Sequence, residues 1–265
     1  IINIMNEFLN SIYDEFIKDI NISNLLIISI ISILLLYNLY KLYINDDILD
    51  KLYTNDDISD KYSEIKQCMN KYDINEIYEF PNFLSEEECN NIIKLSNGKL
   101  NRSRVINDSE KQGVSEVRTS TNTFLDNEEP LMKKIDDKIY DIIGINKNNY
   151  EKLQVVNYKP GQFYKAHWDA CDPNKDPRCI NDVKKGGLRF ATFIIYLNDD
   201  MKGGETEFPL INKKIKPELG KGVLFFNLNE DLKGRRELSK HAGLPPETGE
   251  KWMCNKWIRL EKFID

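Results

Sequence analysis

The sequence predicts an α+β fold in which a β-sandwich or jelly roll is supported by helices that precede it in the chain. Segments with helical periodicity occur first, and from Leu153 onward the pattern changes to short strand-like runs separated by Gly and Pro. Helices followed by many short strands are typical of an antiparallel β core with helices packed on it. The chain has 265 residues, 41% of them hydrophobic and 30% charged, which is enough for one sizeable folded domain and an appendage.

The N-terminal segment 1–44 contains a candidate membrane anchor. No residue in 20–40 is charged, and 25–36 contains only Leu, Ile and Ser. About 20 apolar residues suffice to cross a bilayer, so we predict one transmembrane helix at about 20–40, with a lipid bilayer as its partner. The alternatives are a cleaved signal peptide and a buried core helix, but the apolar run is longer than the core of a signal peptide and no small-residue cleavage site follows it.

An acidic linker is predicted at 45–73. It contains a near-repeat, because the sequence at 45–51 is closely echoed at 55–61. Two copies are too few for a repeat protein, which needs about three or more, so a stalk is the simpler interpretation. The domain that carries the chemistry is predicted to span 74–265.

Two helices are predicted in the first part of this domain. The run 85–88 is a capping box that begins one helix, and Asn97-Gly98 ends it. The second helix is expected at about 130–143, with Gly144 as its stop. The residues predicted to face the core are Cys89, Ile92, Ile93 and Ser96 in the first helix and Leu131, Ile135, Ile139 and Ile142 in the second.

Strand-like runs rich in β-branched and aromatic residues follow these helices. They are separated by Gly, Pro, Asn and Asp, the residues that favour turns. Strands are expected at 153–158, 163–169, 188–197, 205–208, 223–227 and 256–263.

Composition limits the partners and the cysteine chemistry. The net charge of -6 gives no electrostatic reason to expect a nucleic acid partner. The five cysteines include no C-x-x-C pair, so they indicate neither a zinc site nor a disulfide framework. Cys171 and Cys179 bracket a Pro-containing loop, and whether they form a disulfide is left open because spacing alone does not establish geometry.

The run His167-Trp168-Asp169 contains one of only two histidines in the chain. Residues two apart in a strand point to the same face, so this imidazole and this carboxylate are both expected to face the interior of a barrel. The other histidine, His241, would complete a two-His-one-carboxylate facial triad, which leaves positions on iron(II) open for oxygen chemistry. An isolated H-x-D also occurs by chance, and a single histidine is more often structural.

Lys251 lies ten residues after His241 and suits the same site. Its ammonium would hold the distal carboxylate of a keto acid whose other end chelates the metal, through a charge-assisted bond in a partly desolvated pocket. The alternative interpretation is a solvated lysine at a strand edge.

Several ordered motifs resemble the prolyl 4-hydroxylase family. They are Tyr-Lys-Pro-Gly-Gln-Phe-Tyr-Lys-Ala-His-Trp-Asp at 158–169, Gly-Gly-Glu-Thr-Glu-Phe at 203–208, the run 241–257, the opening at 83–89 and Arg-Thr-Ser at 118–120. The resemblance covers roughly 78–263 and implies a double-stranded β-helix, the jelly roll that cupins also have. Ordered motifs at compatible spacing are much harder to obtain by chance than one triad.

The resemblance implies a role for each matching residue. His167, Asp169 and His241 are the expected iron ligands, and Lys251 is the expected partner of the distal carboxylate of 2-oxoglutarate. Collagen-type prolyl 4-hydroxylases have Lys at this position, whereas oxygen-sensing prolyl hydroxylases and lysyl hydroxylases typically have Arg.

Four further residues match positions around the pocket. Tyr158 and Thr192 are expected to add hydrogen bonds to the co-substrate, the alternatives being a strand-edge tyrosine and a packed β-branched residue. Tyr164 and Trp257 are expected near the peptide groove, where they would stack on proline rings. A core role is the alternative for Trp257.

The implied enzyme is an iron(II) and 2-oxoglutarate dependent dioxygenase that converts prolyl residues to 4-hydroxyproline in Pro-rich or collagen-like peptides. It consumes O2 and 2-oxoglutarate and releases succinate and CO2, and L-ascorbate is expected to rescue oxidised iron. The alternatives are a dioxygenase that acts on lysine or another substrate, and a catalytically inert, membrane-tethered jelly-roll binding module.

The expected location is a single-pass position in the endoplasmic reticulum or another secretory membrane. Secretory-pathway prolyl hydroxylases face the lumen, whereas the lysines that flank the anchor slightly favour a cytoplasmic domain, so the side is left open. The oligomeric state is left open as well.

Overall fold

The computed structural model describes residues 31–37, 39, 62–103, 117–173, 175–176 and 179–265. Residues 31–37 and 39 are helical, but most of the expected anchor and both copies of the near-repeat lie outside these ranges. No helix within the described part of the chain is long and apolar enough to cross a bilayer. The membrane anchor therefore stays a prediction.

The elements that build the site belong to the compact unit Asn55–Asp265. Its α-helices, among the described residues, are α1 Ser63–Lys71, α2 Glu86–Ser96, α3 Pro130–Ile143 and α4 Cys179–Val183. Its short 3₁₀ turns are Lys147–Asn149, Pro209–Ile211 and Glu237–Ser239. Its strands are β1 Tyr78–Phe80, β2 Asn101–Arg102, β3 Thr121–Phe124, β4 Gln154–Tyr158, β5 Tyr164–His167, β6 Arg189–Tyr196, β7 Lys202–Gly203, β8 Thr206–Phe208, β9 Lys213–Ile215, β10 Gly222–Phe226, β11 His241–Gly243, β12 Pro246–Thr248 and β13 Lys251–Arg259.

The capping box predicted at the start of α2 is confirmed. The Ser85 hydroxyl accepts a hydrogen bond from Glu88 N at 3.2 Å, and the Glu88 carboxylate accepts one from Ser85 N at 2.8 Å. Two backbone donors that the first turn leaves unpaired are thereby satisfied. The buried residues of the helix are Glu88, Cys89, Ile92 and Ser96, while Ile93 is half-buried.

The helix α3 has the predicted bounds but a slightly rotated buried face. Its buried residues are Met132, Ile135, Asp136, Ile139 and Ile143. Leu131 and Ile142, which were predicted to face the core, are only half-buried. Asp136 lies on this buried face, where it forms an ion pair with Lys256 of β13 at 2.7 Å. A stripe of apolar residues does not reveal such a pair.

The helix α1 lies inside the segment that was predicted to be a linker. Its Ile65 and Cys68 are each only 2% exposed, and Lys71 Nζ donates to Ile142 O at 2.7 Å at the end of α3. The folded part of the chain therefore begins before the expected boundary at Ile74. The charged composition of this segment concealed a short helix with two core contacts.

Seven antiparallel strands form the larger sheet, in the order β1-β10-β6-β13-β4-β3-β2. The predicted strands that correspond to β4, β5, β6, β8 and β10 lie within two residues of the observed bounds. The strand predicted at 256–263 is misplaced, because β13 is Lys251–Arg259. It pairs with β4 on one side and β6 on the other, and this central position outweighs its polar residues.

A smaller sheet faces the larger one and encloses the core with it. Its four strands are ordered β5-β11-β8-β9, and β7 and β12 form a separate ribbon. Val156, Ile194 and Met253 from the larger sheet belong to the same buried cluster as Phe208 and Ile215 from the smaller sheet. Two antiparallel sheets around one core, with helices beside them, agree with the expected jelly roll.

Candidate active site

Three metal-binding side chains converge where two strands of the smaller sheet pair. The strands β5 and β11 are antiparallel, and His167 lies directly opposite His241. The Asp169 carboxylate oxygens are 3.6 Å from His167 Nε2 and 3.7 Å from His241 Nε2. One ligand atom from each side chain lies within 4.8 Å of the other two. This spacing suits a single metal ion.

Asp169 reaches the site from beyond the end of its strand. The strand was expected to continue to residue 169, but β5 ends at His167, so strand alternation does not aim this carboxylate. Instead Thr192 Oγ1 donates to Asp169 Oδ2 at 2.7 Å, and an Arg189 guanidinium nitrogen donates to Asp169 O at 3.4 Å. Both donors belong to β6, so the packing of one sheet on the other positions the carboxylate.

Each histidine is oriented by a backbone carbonyl. His167 Nδ1 lies 2.9 Å from Lys165 O, and His241 Nδ1 lies 3.0 Å from Ser239 O. A carbonyl oxygen can only accept, so each Nδ1 carries the ring proton. Each Nε2 is left with a free lone pair directed toward Asp169, which is the tautomer that binds a metal.

Burial sets the protonation state of the cluster. It lowers the pKa of His241 to about 4, so this imidazole is neutral at pH 7. Burial alone would raise the pKa of Asp169, but the neighbouring His241 and His167 outweigh it and hold that pKa below its usual value. Two imidazoles and one carboxylate are the donor set that fits non-haem iron(II).

Lys251 is a buried cation in the same barrel interior. Its side chain is 0% exposed, and its Nζ has no hydrogen-bond partner within the described ranges. Burial lowers the pKa of Lys251 to about 7, although the carboxylate of Glu205 acts in the opposite direction. An uncompensated buried charge is costly, so this position fits a pocket that receives an anion. The distal carboxylate of 2-oxoglutarate is such an anion.

Two tyrosines line the pocket around Lys251. The Tyr158 and Tyr196 rings lie 5.3 Å and 5.5 Å from Lys251 Nζ, and the Tyr196 hydroxyl donates to Thr206 Oγ1 at 2.8 Å. Burial raises the pKa of both phenols, so both remain neutral donors. A hydrogen bond from Tyr158 to the co-substrate stays a prediction. The sequence analysis missed Tyr196, although its alternation with Thr192 along β6 indicates the same inner face.

The Thr192 hydroxyl lies on the metal ligand Asp169, and its expected contact with the co-substrate stays a prediction. Asn227, which follows β10, donates from its side-chain amide to Thr192 Oγ1 at 2.8 Å. The sequence analysis did not single out Asn227, because no motif or periodicity distinguishes a buried asparagine at the end of a strand.

The two aromatic residues expected at the peptide groove have different surroundings. Tyr164 is half-buried and stacks on the His167 ring with centroids 3.6 Å apart, and the Arg118 guanidinium lies over the Tyr164 ring, 4.7 Å from its centroid. Trp257 is only 5% exposed, and Arg189 packs over its ring at 3.8 Å. A core role therefore applies to Trp257 in this structure. Substrate contacts stay a prediction for both residues.

Cys171 and Cys179 form a disulfide, which answers the question that spacing left open. The bond joins the chain just after Asp169 to the first residue of α4. The free cysteines of the described ranges, Cys68, Cys89 and Cys254, are all buried. The disulfide thus ties down the segment that leaves the metal cluster.

A jelly roll whose interior holds a His-Asp-His cluster and a buried, unpartnered lysine defines an iron(II) and 2-oxoglutarate dependent oxygenase. In agreement, the family model of the 2OG-Fe(II) oxygenase superfamily matches residues 153–259. The matched range contains His167, Asp169, His241 and Lys251.

Relatives identify the family more narrowly. A protein of Acanthamoeba polyphaga mimivirus that is assigned to the prolyl 4-hydroxylases is 35% identical over 71% of this chain and 76% of its own length. Prolyl 4-hydroxylase 2 of Arabidopsis thaliana is 35% identical over 76% of this chain and 72% of its own. The viral collagen prolyl hydroxylase of Paramecium bursaria Chlorella virus-1, solved with 2-oxoglutarate, is 31% identical with a TM-score of 0.55 and matches over 69% of this chain and 94% of its own. The chain belongs to the prolyl 4-hydroxylase family.

Proposed function

We propose that this protein hydroxylates prolyl residues, to 4-hydroxyproline, in Pro-rich or collagen-like peptides, with O2 and 2-oxoglutarate as co-substrates and succinate and CO2 as products. The observation that carries the proposal is the burial of Lys251, whose Nζ has no hydrogen-bond partner among the described residues, in the barrel that also holds the His-Asp-His cluster. This pairing provides one place for a metal and one for the far end of a dicarboxylate. The prolyl 4-hydroxylase relatives support proline as the target.

The protein's own residues would bind and orient the metal and the co-substrate and shield the site from water. Iron(II), when bound, would activate O2, the oxidant, while 2-oxoglutarate supplies two electrons as it is converted to succinate and CO2, and this chemistry can hydroxylate an unactivated carbon. His167, Asp169 and His241 would hold the metal through one face, and Lys251 would neutralise the distal carboxylate. The Phe225 ring lies 4.8 Å from the His241 ring and keeps water from that side of the cluster.

The accessible side of the cluster suits a proline-containing peptide. The Tyr164 ring stacks on His167 and has the Arg118 guanidinium over it, so a pyrrolidine ring would pack against the edge of the Tyr164 ring. This edge lies beside the metal ligand His167, where the target carbon must be placed.

The remaining expectations are part of the same proposal. L-ascorbate would serve as the reductant of oxidised iron. The apolar run at 20–40 would anchor the protein in a lipid bilayer, in the endoplasmic reticulum or another secretory membrane. The Cys171–Cys179 disulfide supports an oxidising compartment, which favours a lumenal catalytic domain.

The proposal is tested by succinate release from the full chain in detergent, with iron(II), ascorbate and 2-oxoglutarate, in the presence and absence of a Pro-Gly-rich peptide. The peptide is then analysed by tandem mass spectrometry for the mass of one added oxygen on proline. We expect peptide-stimulated turnover and a hydroxylated prolyl residue. A matched peptide with every Pro replaced by Ala should give only the uncoupled background.

Other outcomes would replace the proposal with a specific alternative. Succinate release without modification of proline would leave the oxygenase class in place and direct the search to lysine or another substrate. Absence of both turnover and iron binding would favour an inert binding module. The Asp169→Ala variant serves as the control for metal-dependent turnover.

A further inference from the structure

A chain of hydrogen bonds runs from Asn227 through Thr192 to the metal ligand Asp169. The Asn227 amide nitrogen donates to Thr192 Oγ1 at 2.8 Å, and Thr192 Oγ1 donates to Asp169 Oδ2 at 2.7 Å. Thr192 and Asn227 are both 0% exposed, so water does not compete for these groups. These hydrogen bonds reach Asp169 from β6, which carries Thr192, and from the residue that follows β10, Asn227.

The chemistry of the groups determines the direction of these bonds. An amide nitrogen only donates, so the Thr192 oxygen accepts from Asn227 and its single proton remains for Asp169. With the amide reversed, the Asn227 oxygen and the Asp169 oxygen would compete for one hydroxyl proton. The observed orientation leaves Asn227 Oδ1 as a buried acceptor without a partner among the described residues.

Asn227 is also connected to His241 through the backbone. Its carbonyl oxygen accepts from Arg236 N at 2.7 Å, and the Arg236 carbonyl accepts from the Ser239 hydroxyl at 2.7 Å. The Ser239 carbonyl in turn holds His241 Nδ1 at 3.0 Å. One buried asparagine thus links the supports of two different metal ligands.

We propose that Thr192 and Asn227 are positioning residues that fix the orientation of the Asp169 carboxylate for metal binding. Both carboxylate oxygens face the cluster, Oδ1 at 3.6 Å from His167 Nε2 and Oδ2 at 3.7 Å from His241 Nε2. The Thr192 hydroxyl bonds to Oδ2 and so holds the rotation of the carboxylate that aims it at the space between the two imidazoles. The inference rests on the proposed function for its purpose, but its test uses metal binding alone.

The test compares Thr192→Val, which removes the hydroxyl, with Thr192→Ser, which keeps it. Fe(II) affinity is titrated anaerobically without 2-oxoglutarate, and the visible ligand-field spectrum of bound Co(II) reports the coordination geometry. Thr192→Val should weaken Fe(II) binding by roughly 10- to 100-fold and change the Co(II) spectrum. Thr192→Ser should restore both. Asn227→Ala should weaken Fe(II) binding less, by about threefold to tenfold, because it removes only the hydrogen bond between Asn227 and Thr192.

The matched control is Thr206→Val, which removes a buried threonine hydroxyl that bonds to Tyr196 and not to Asp169. Its Fe(II) affinity should equal that of the wild type. Wild-type affinity and an unchanged Co(II) spectrum in Thr192→Val would overturn the proposal, and so would a loss that Thr192→Ser fails to restore. If Thr192→Val does not fold, as judged by its thermal melt, Asn227→Ala decides alone, and wild-type affinity in that variant would overturn the proposal. Failure of the proposed function would appear separately, as absent hydroxylation with these metal-binding differences intact.

Discussion

His241 lies directly opposite His167 on the paired strands β11 and β5, with the two ring centroids 4.4 Å apart. Antiparallel pairing therefore brings together two ligands that are remote in the sequence, and Asp169 joins them from the end of the same strand. Ligands carried by paired strands are held in place by the sheet before any metal binds.

Removal of one strand-borne ligand should abolish metal binding. In His241→Ala the cluster retains only one imidazole and one carboxylate, which is too few for a stable iron(II) site. Anaerobic Fe(II) titration should show no stoichiometric binding. Lys214→Ala, an exposed substitution on β9 of the same sheet, should bind like the wild type. Retention of stoichiometric iron by His241→Ala would contradict the assigned triad.

Replacement of the buried Lys251 should raise the stability of the protein and weaken its binding of 2-oxoglutarate. Lys251→Met has nearly the same shape but removes a charge that has no hydrogen-bond partner among the described residues. We expect the ligand-free protein to become more stable by about 1–3 kcal/mol, because an unsatisfied buried group is removed. Calorimetry with the metal-loaded protein should show that 2-oxoglutarate binding is nearly lost while Fe(II) affinity is kept. Unchanged 2-oxoglutarate affinity would remove Lys251 from the pocket.

The affinity for 2-oxoglutarate should fall as the pH rises. Burial lowers the pKa of free Lys251 to about 7, whereas a bound carboxylate favours the ammonium and raises that pKa in the complex. Binding above pH 7 therefore takes up a proton, and the affinity should weaken by up to about tenfold per pH unit. Calorimetry in two buffers with different heats of ionisation counts this proton. No proton uptake near pH 8 would contradict the assignment.

The same shift predicts a pH dependence of folding. The pKa of Lys251 is lower in the folded protein than its ordinary value of 10.5, so between pH 7 and 10.5 the unfolded chain binds more protons than the folded one. The stability of the ligand-free protein should therefore increase with pH across that window. Urea denaturation at several pH values measures it. Lys251→Met provides the control, because this contribution to the slope should disappear.

A methyl group at Gly243 should disturb the co-substrate pocket. A Cβ at this position would lie 3.2 Å from the Tyr158 hydroxyl and 3.4 Å from its Cζ, so the ring would have to move. We expect Gly243→Ala to lose about 1–3 kcal/mol of stability through overpacking and to bind 2-oxoglutarate more weakly. Gly234→Ala is the matched control, since its nearest neighbours would be at 3.7 Å. Equal behaviour of the two variants would show that Tyr158 does not shape the pocket.

The disulfide should stabilise the fold by an amount that depends on the length of the short loop that it closes. Cys171 and Cys179 are separated by 8 positions, and a loop of this length is expected to stabilise the fold by roughly 2–3 kcal/mol. Urea denaturation should show this difference between the oxidised protein and the Cys171→Ser/Cys179→Ser double variant. The reduced wild type should resemble the variant. Equal stability of oxidised and reduced protein would contradict the prediction.

Short sequence patterns predicted a large part of the secondary structure. The capping box at Ser85 and the end of α3 at Gly144, whose backbone is left-handed, could be predicted because each depends on a few adjacent residues. The apolar strands were found within two residues, whereas β13 was misplaced. Its Lys251 and Lys256 make the strand look like a surface segment, and only its pairing on both sides buries them.

The sequence by itself predicted the metal ligands and the co-substrate lysine, because these residues stand in motifs that resemble those of the prolyl 4-hydroxylase family. Tertiary structure alone decided the surroundings of these groups. It placed Thr192 on Asp169, left Lys251 Nζ without a hydrogen-bond partner among the described residues and lowered the pKa of that lysine. The physical reason is that ligand geometry and proton affinity depend on which strands pair and on which groups lose contact with water, and both are set by contacts between residues far apart in the chain.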